Sequence, residues 1–356
     1  MATSFATIPT LDLSQSTNPS SRGVFLQDLR HALIDVGFLY ISNHGVPSTV
    51  IADLVAALPT LFALGDEVKS AVALENSPHF LGYSGIGSEN TGGSADLREQ
   101  FEFATELEAT WREGEGMPLC ERLRGPNQWP AHNTALRHII ERYMAELTQL
   151  GERFLDLVAA ALSLPPNTFQ PFLSDQHRLK LVHYPECSGP GASGQGVGPH
   201  KDSSGWWTFL LQASPPEVKG LQVLNKAGAW IDVPVIPGTF VVNIGQAFEV
   251  VTRGVCKATT HRVLAGQRER FSVPFFQGVR RDLTKAEALG TLAGHFAGAS
   301  GGDESAEGRE IDSAFLRGKY DTWGEAQLRT KVRSHRENGR RFYSEVYEQY
   351  INDDVS

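Results

Sequence analysis

Six residues between positions 184 and 272 have types and spacings that could do chemistry together. His200 and Asp202 stand one residue apart in GPHKDSSGWWTFLLQ, ahead of an apolar run that reads as a strand. Side chains two apart along a strand share a face, so the pair aims an imidazole and a carboxylate at one point. His261 follows in KATTHRVL, another short strand-like segment two or three strands further on. Two imidazoles and one carboxylate on one face of a metal, with the opposite positions open, form a ligand set suited to non-haem Fe(II) oxygen chemistry. Arg270 and Ser272 in RERFSVPFF are again two apart and share a strand face. A guanidinium among Phe, Val and Pro needs an anionic partner, and the neighbouring hydroxyl adds a donor. Tyr184 in LVHYP could bring a phenol to the same anion.

The segments that must position these groups are short. From 178 to 279 the chain is a succession of β-rich runs broken by Gly and Pro: RLKLVHYP, the HKD strand, GLQVLN, AWIDVPV, GTFVVNIG, FEVVTRG, KATTHRVL and RFSVPFFQG. Such spacing predicts a sandwich or barrel rather than βαβ units. Ahead of it, residues 6–14 alternate as an early strand, and 22–36 carry Val24, Leu26, Leu29, Leu33 and Val36 at helical spacing, closed by Gly37. FLYISNHGVP reads as a buried strand and turn, with His44 a hydrogen-bonding turn residue. Residues 48–73 read as a helix interrupted near Gly65, and 131–163 as a long helix. Between them lie a Gly/Ser/Asn-rich loop, 76–96, holding Tyr83, and a charged group of Asp96, Arg98, Glu99 and Glu102, expected to form a solvated or salt-bridged face. After the β region come a helical start (LTKAEALGTL), a Gly/Ser-rich loop at 296–309 expected to be mobile, and a helical tail with basic charge on its exposed face.

The 356 residues have an apolar fraction of 41%, enough for a substantial core, and a net charge of −9. That balance argues against nucleic acid as a partner, which calls for a basic face. Three scattered cysteines, none in a C-x-x-C pair, do not suit a disulfide framework or a structural zinc site. The first residues, MATSFATIPTLDLS, do not read as a secretory signal, and no apolar run approaches the about 20 residues needed to span a bilayer. A cytoplasmic protein with no membrane or nucleic-acid partner is expected; its oligomeric state is not legible.

At this point the motifs match a family. The chain resembles the Fe(II)/2-oxoglutarate-dependent dioxygenases, in the branch that includes isopenicillin N synthase and the plant flavonoid dioxygenases. IPTLDLS and GFLYISNHGVP look like the family's N-terminal region, LGYSG like its glycine-tyrosine loop, HKD with THRV like its H-x-D…H triad, and RFS like its R-x-S motif. The resemblance implies a mainly β fold: a double-stranded β-helix (jelly roll) wrapped by N- and C-terminal helices. One oxygenase domain would span 1–356, with 1–175 packing on the barrel, 176–280 forming the core with the metal site, and 281–356 adding a loop and helices. It implies Fe(II) held by His200, Asp202 and His261, and the distal carboxylate of 2-oxoglutarate held by Arg270 and Ser272 with help from Tyr184. Tyr83 and Phe276 would line the substrate pocket. The implied reaction consumes O2, releases succinate and CO2, and oxidises a C–H bond of a small molecule by hydroxylation, desaturation or ring modification, in secondary metabolism.

Three alternatives stay open on the same scaffold. They are an Fe(II) oxidase that does not use 2-oxoglutarate, an ethylene-forming enzyme, and a metal-binding regulatory protein without turnover. The sequence departs from common family patterns at Val182, where plant members often carry Asn, at Gln246, where Asp is frequent, and at Trp206 and Trp207, bulkier than usual. Lys201, between the two ligands, is expected at the surface or a strand edge.

Overall fold

The computed structural model describes residues 5–91, 93–131, 133–187, 194–203, 205–297, 311 and 313–353. Among these residues fourteen strands follow one another as β1 (Thr10–Asp12), β2 (Phe38–Ser42), β3 (Gly82–Ser84), β4 (Asn90–Thr91), β5 (Ser94–Ala95), β6 (Glu99–Ala104), β7 (Arg178–Tyr184), β8 (Gln195–His200), β9 (Trp207–Gln212), β10 (Leu221–Leu224), β11 (Trp230–Asp232), β12 (Phe240–Ile244), β13 (His261–Leu264) and β14 (Arg270–Phe276). They form an eight-stranded sheet in the order β1-β2-β12-β9-β14-β7-β6-β3, a four-stranded sheet β11-β10-β13-β8, and the small β4-β5 hairpin. From β7 to β14 the chain passes back and forth between the two large sheets, with β10 and β11 neighbours in the smaller one, as in a jelly roll. Four strands from the first 175 residues extend the larger sheet at both edges, so that region joins the sheet as well as covering it.

Period-two alternation divides the larger sheet's side chains between two environments. On β7, Leu179 and Leu181 face outward into the main hydrophobic cluster, while Val182 and Tyr184 face the space between the sheets. On β14 the outward residues are Val273 and Phe275. The long helix Thr134–Ala161 covers this outer face. Asn133 caps it by accepting from the Leu136 N–H at 3.0 Å, and its stripe of Ile140, Tyr143, Leu147, Leu150, Phe154 and Val158 is buried. Phe154 meets Trp207 and Phe209 edge-on, with centroids 5.5 and 5.8 Å apart.

Trp206 and Trp207 are fully buried in this outer core, Trp206 stacking on Phe172 and both touching Phe248. Their bulk belongs to the scaffold rather than to a substrate. The run FEVVTRG, expected as a strand, lies mostly in a helix, Gln246–Val251, whose residues are all buried. A short apolar run has no periodicity that separates a buried strand from a buried helical turn. Gly37 ends the first helical segment at φ 74°, where a Cβ would meet the Lys257 carbonyl oxygen. The C-terminal tail forms the helices Trp323–Ser334, Arg336–Phe342 and Ser344–Asn352 around their own small core of Leu328, Val332, Tyr343 and Tyr347 with Leu74 and Phe80. Its charge is not all exposed, since Arg329 is buried and Lys331 nearly so. From residue 298 the Gly/Ser-rich stretch lies outside the described residues. No helix among them is long and apolar enough to cross a membrane.

Candidate active site

His200 ends β8 and His261 begins β13, and the antiparallel register of those strands sets the two histidines opposite each other. Asp202 follows β8 by two residues. The ligand-capable atoms of the three lie within 4.8 Å of one another, and both histidine Nε2 atoms stand 3.6 Å from Asp202 Oδ1. The hydrogen bonds made by the far side of each group explain the arrangement. His200 Nδ1–H donates to the Gly198 carbonyl at 2.8 Å and His261 Nδ1–H to the Thr259 carbonyl at 3.1 Å. Each bond fixes the tautomer that leaves the Nε2 lone pair facing the centre. Asp202 Oδ2 accepts from Thr208 Oγ1 at 2.5 Å and Asn243 Nδ2 at 2.7 Å, which leaves Oδ1 turned toward the histidines.

The electrostatics keep this donor set ready for a cation. Burial pushes the His261 imidazole down to about 4, helped by His200 and opposed by Asp202, so it is a neutral ligand at physiological pH. Burial works to raise the Asp202 carboxyl, but His261, His200 and the Thr208 hydroxyl hold it well below its usual value. Two imidazoles and one carboxylate suit a divalent first-row metal such as Fe(II).

The triad opens on a cavity of about 330 Å³ between the sheets, also lined by Tyr184, Arg270, Ser272 and Phe276. Arg270 is 3% exposed and pairs across the strands with Tyr184, its guanidinium carbon 4.9 Å from that ring's centroid. Nη2 reaches Gln212 Oε1 at 3.4 Å, and Nη1 has no hydrogen-bond partner among the described residues. Burial pushes this guanidinium below its ordinary value, with Tyr184 opposing. A buried cation without a carboxylate is costly; a ligand carboxylate would offset that cost, so the residues present fit a bidentate keto acid beside a metal.

Tyr83 stands elsewhere. Its hydroxyl donates to Glu99 Oε2 at 2.7 Å on the other face of β6, and it lines a separate cleft rather than the metal cavity. Lys201 is not a plain surface lysine, because its ammonium lies 3.3 Å from the buried Glu249 carboxylate. His44 is the turn residue expected, its Nδ1 accepting from the Val46 N–H at 3.2 Å.

The supports Thr208 and Asn243 were missed in the sequence, although an Asn within the otherwise apolar FVVNI was a visible signal. Missed too was a charged wall on the inner face of β6 and β7, where Arg178, Lys180 and Glu102 line the cavity together with Lys331 of the helix Trp323–Ser334. The group of Asp96, Arg98, Glu99 and Glu102 is salt-bridged but not solvated: Asp96 and Glu102 are at most 1% exposed.

Comparison with known proteins agrees with this geometry. Residues 8–132 match the family described as non-haem dioxygenase in morphine synthesis N-terminal, and residues 175–279 match the 2OG-Fe(II) oxygenase superfamily. The chain is 42% identical over 357 residues to the 2-oxoglutarate-dependent dioxygenase frbJ of Dothideomycetidae sp. (strain 11243), covering 96% of this chain and 94% of that one. In fold it is similar to full-length Neurospora crassa T7H, crystallised with alpha-KG and 5-formyluracil, with a TM-score of 0.69, 21% identity, and 95% and 96% of the two chains covered. It is also similar to JOX2, crystallised with 2OG, Fe and JA, with a TM-score of 0.63, 27% identity, and 78% and 76% covered. The chain belongs to the 2OG-Fe(II) oxygenase superfamily and is a 2-oxoglutarate-dependent dioxygenase with a jelly-roll core, using Fe(II), 2-oxoglutarate and O2.

Proposed function

We propose that His200, Asp202 and His261 hold Fe(II), that Arg270, Ser272 and Tyr184 seat the distal carboxylate of 2-oxoglutarate, and that a C–H bond of a small organic molecule is oxidised in the same cavity. The observation that carries this reading is the buried Arg270, which has no carboxylate partner among the described residues and lines one cavity with the triad. When bound, the iron and 2-oxoglutarate together supply dioxygen activation, with release of succinate and CO2. The chain's own part is positional. Thr208 and Asn243 orient Asp202, the Gly198 and Thr259 carbonyls orient the two imidazoles, and Gln212 and Tyr184 steady Arg270. The two sheets screen the reacting carbon from bulk water, and Phe276 adds an apolar wall. The reading extends to a single oxygenase domain acting in secondary metabolism, and the free thiols of Cys120, Cys187 and Cys256 suit a reducing, cytoplasmic setting.

The test is anaerobic addition of 2-oxoglutarate to the Fe(II)-loaded protein, followed by visible absorption. A metal-to-ligand charge-transfer band is expected. Asp202→Ala should abolish it, and Arg270→Met should raise the 2-oxoglutarate concentration needed by about 10- to 100-fold, the loss of a charge-assisted pair. An iron-loaded protein that gives no band would sink the keto-acid assignment in favour of an oxidase whose Arg270 grips a substrate carboxylate.

A further inference from the structure

The charged wall on the inner face of β6 and β7 has no part in holding the metal or the 2-oxoglutarate carboxylate. Arg270 is paired with Tyr184, and Lys180 lies four residues from Tyr184 along β7. At roughly 3.3 Å per residue that is about 13 Å away, too far to share one carboxylate. Lys180 nevertheless lines the cavity, and it also lines a neighbouring recess of about 190 Å³ that shares Arg178, Phe276 and Lys331 with it.

Around Lys180 the cations outnumber the acids. Glu102 accepts from Arg178 and from Lys331, each at 2.6 Å. Glu89 accepts from Arg98 at 2.6 Å and contacts His335 at 3.0 Å, and Arg98 also reaches Asp96 at 3.3 Å. Four basic side chains, Arg98, Arg178, Lys180 and Lys331, thus face three carboxylates, Glu89, Asp96 and Glu102. Arg281, which lines the recess, adds no surplus because Glu121 lies 2.9 Å from it. Lys180 carries the excess: its ammonium stands 3.6 Å from Glu89 and 3.7 Å from Glu102, beyond the usual hydrogen-bond distance to either. The surplus is felt nearby, where burial with the charges of Arg178 and Lys180 brings the Lys331 ammonium down to about 8 against the pull of Glu102. An ammonium on the inner face of a barrel, with donors aimed into a cavity, is placed for an anion. The recess is otherwise mixed: Leu123, Val279, Phe315, Trp323 and Ala326 give it apolar surface beside polar residues such as Gln176 and Thr330.

We propose that Lys180, with Lys331 opposite, receives an anionic group of the carboxylate class on the organic substrate, whose apolar body lies along the recess. The proposal deepens the functional reading above and rests on it.

The probe is 4-fluorophenylacetate, compared with its neutral isostere 4-fluorophenylacetamide. Both are titrated by fluorine NMR into the Zn(II)-substituted protein saturated with 2-oxoglutarate, so that the Arg270 seat is filled. The acid should bind at least about tenfold more tightly than the amide, a difference of about 1.4 kcal/mol. Lys180→Met should bring the two to parity, and Lys180→Arg should restore the preference. Lys180 is the residue to change because it makes the fewest direct hydrogen bonds in the wall, whereas loss of Lys331 strips Glu102 of a close partner. Equal binding of acid and amide by the wild type, or an unchanged preference in Lys180→Met, overturns the proposal. So does tighter binding of 4-fluorobenzylamine, which Glu102 Oε2, without a hydrogen bond among the described residues, would favour. Loss of the acid preference in Arg270→Met but not in Lys180→Met would instead show the acid in the keto-acid seat. That outcome, like a missing charge-transfer band, counts against the assignment of Arg270 and separates its failure from that of Lys180.

Discussion

Asp202 divides one carboxylate between two tasks. Oδ2 is held by Thr208 and Asn243, and Oδ1 is left to the centre of the triad. Thr208→Val and Asn243→Leu each free the carboxylate to rotate, and each should weaken Fe(II) binding by about 10- to 100-fold with the fold intact; metal titration against a competing chelator reads this directly. Trp207, five residues after Asp202, behaves differently. Its ring fills the outer core, so Trp207→Ala should cost about 3–5 kcal/mol of stability in a denaturant melt while leaving iron affinity of the folded protein unchanged. At this scale the sequence was legible where residue type and spacing define the chemistry. His200, Asp202, His261, Arg270, Ser272 and Phe276 line one cavity. Tyr83 was not, because its side of the sheet depends on the register that sets it opposite Phe101 on β6, a pairing that no local signal encodes.

Strand alternation accounts for most of what the elements do. On β7 and β14, odd and even positions separate a hydrophobic outer face from an inner face that bears Tyr184, Lys180, Arg270 and Ser272. The same alternation was present in RLKLVHY, but nothing local says what its charged face meets, because the helix that covers it arrives from the C-terminal tail, about 150 residues later. Just before β7, His177 accepts the Gly278 N–H on Nδ1 at 3.0 Å and joins the start of β7 to the end of β14. Burial pushes its imidazole from 6.5 down to about 4. A depressed folded-state value means stability that is present above about 6.5 and lost as pH falls through about 4, because the unfolded chain takes the proton first. The full effect is about 3 kcal/mol. His177→Asn keeps an acceptor without the titration and should flatten the acid limb of a stability-versus-pH curve across that window. At Gly37, the positive φ and the closeness of the Lys257 carbonyl make Gly37→Ala destabilising by about 1–3 kcal/mol, measurable as a lower melting temperature.

At the scale of the whole molecule, the C-terminal helices supply one wall of the recess that Lys180 lines and a core of their own against Leu74, Phe80 and Leu123. A chain ending at residue 310 should therefore expose that apolar surface and self-associate, as light scattering would show. The general plan of helices, β core and helices could be read from composition and period, but the sharing of one sheet between residues 10–104 and the later strands could not, since long-range register leaves no local mark. The triad itself spans that architecture. His200 and His261 belong to the four-stranded sheet, whereas the groups that hold Asp202 come from β9 and β12 of the eight-stranded one. An ion at this point is a rivet through both layers, and its occupancy is a term in the folding equilibrium. Each tenfold excess of free metal over its dissociation constant adds about 1.4 kcal/mol to the stability of the closed sandwich. A chelator should accordingly lower the melting temperature by an amount set by the free metal concentration relative to its dissociation constant, so that unfolding serves as a gauge of iron supply.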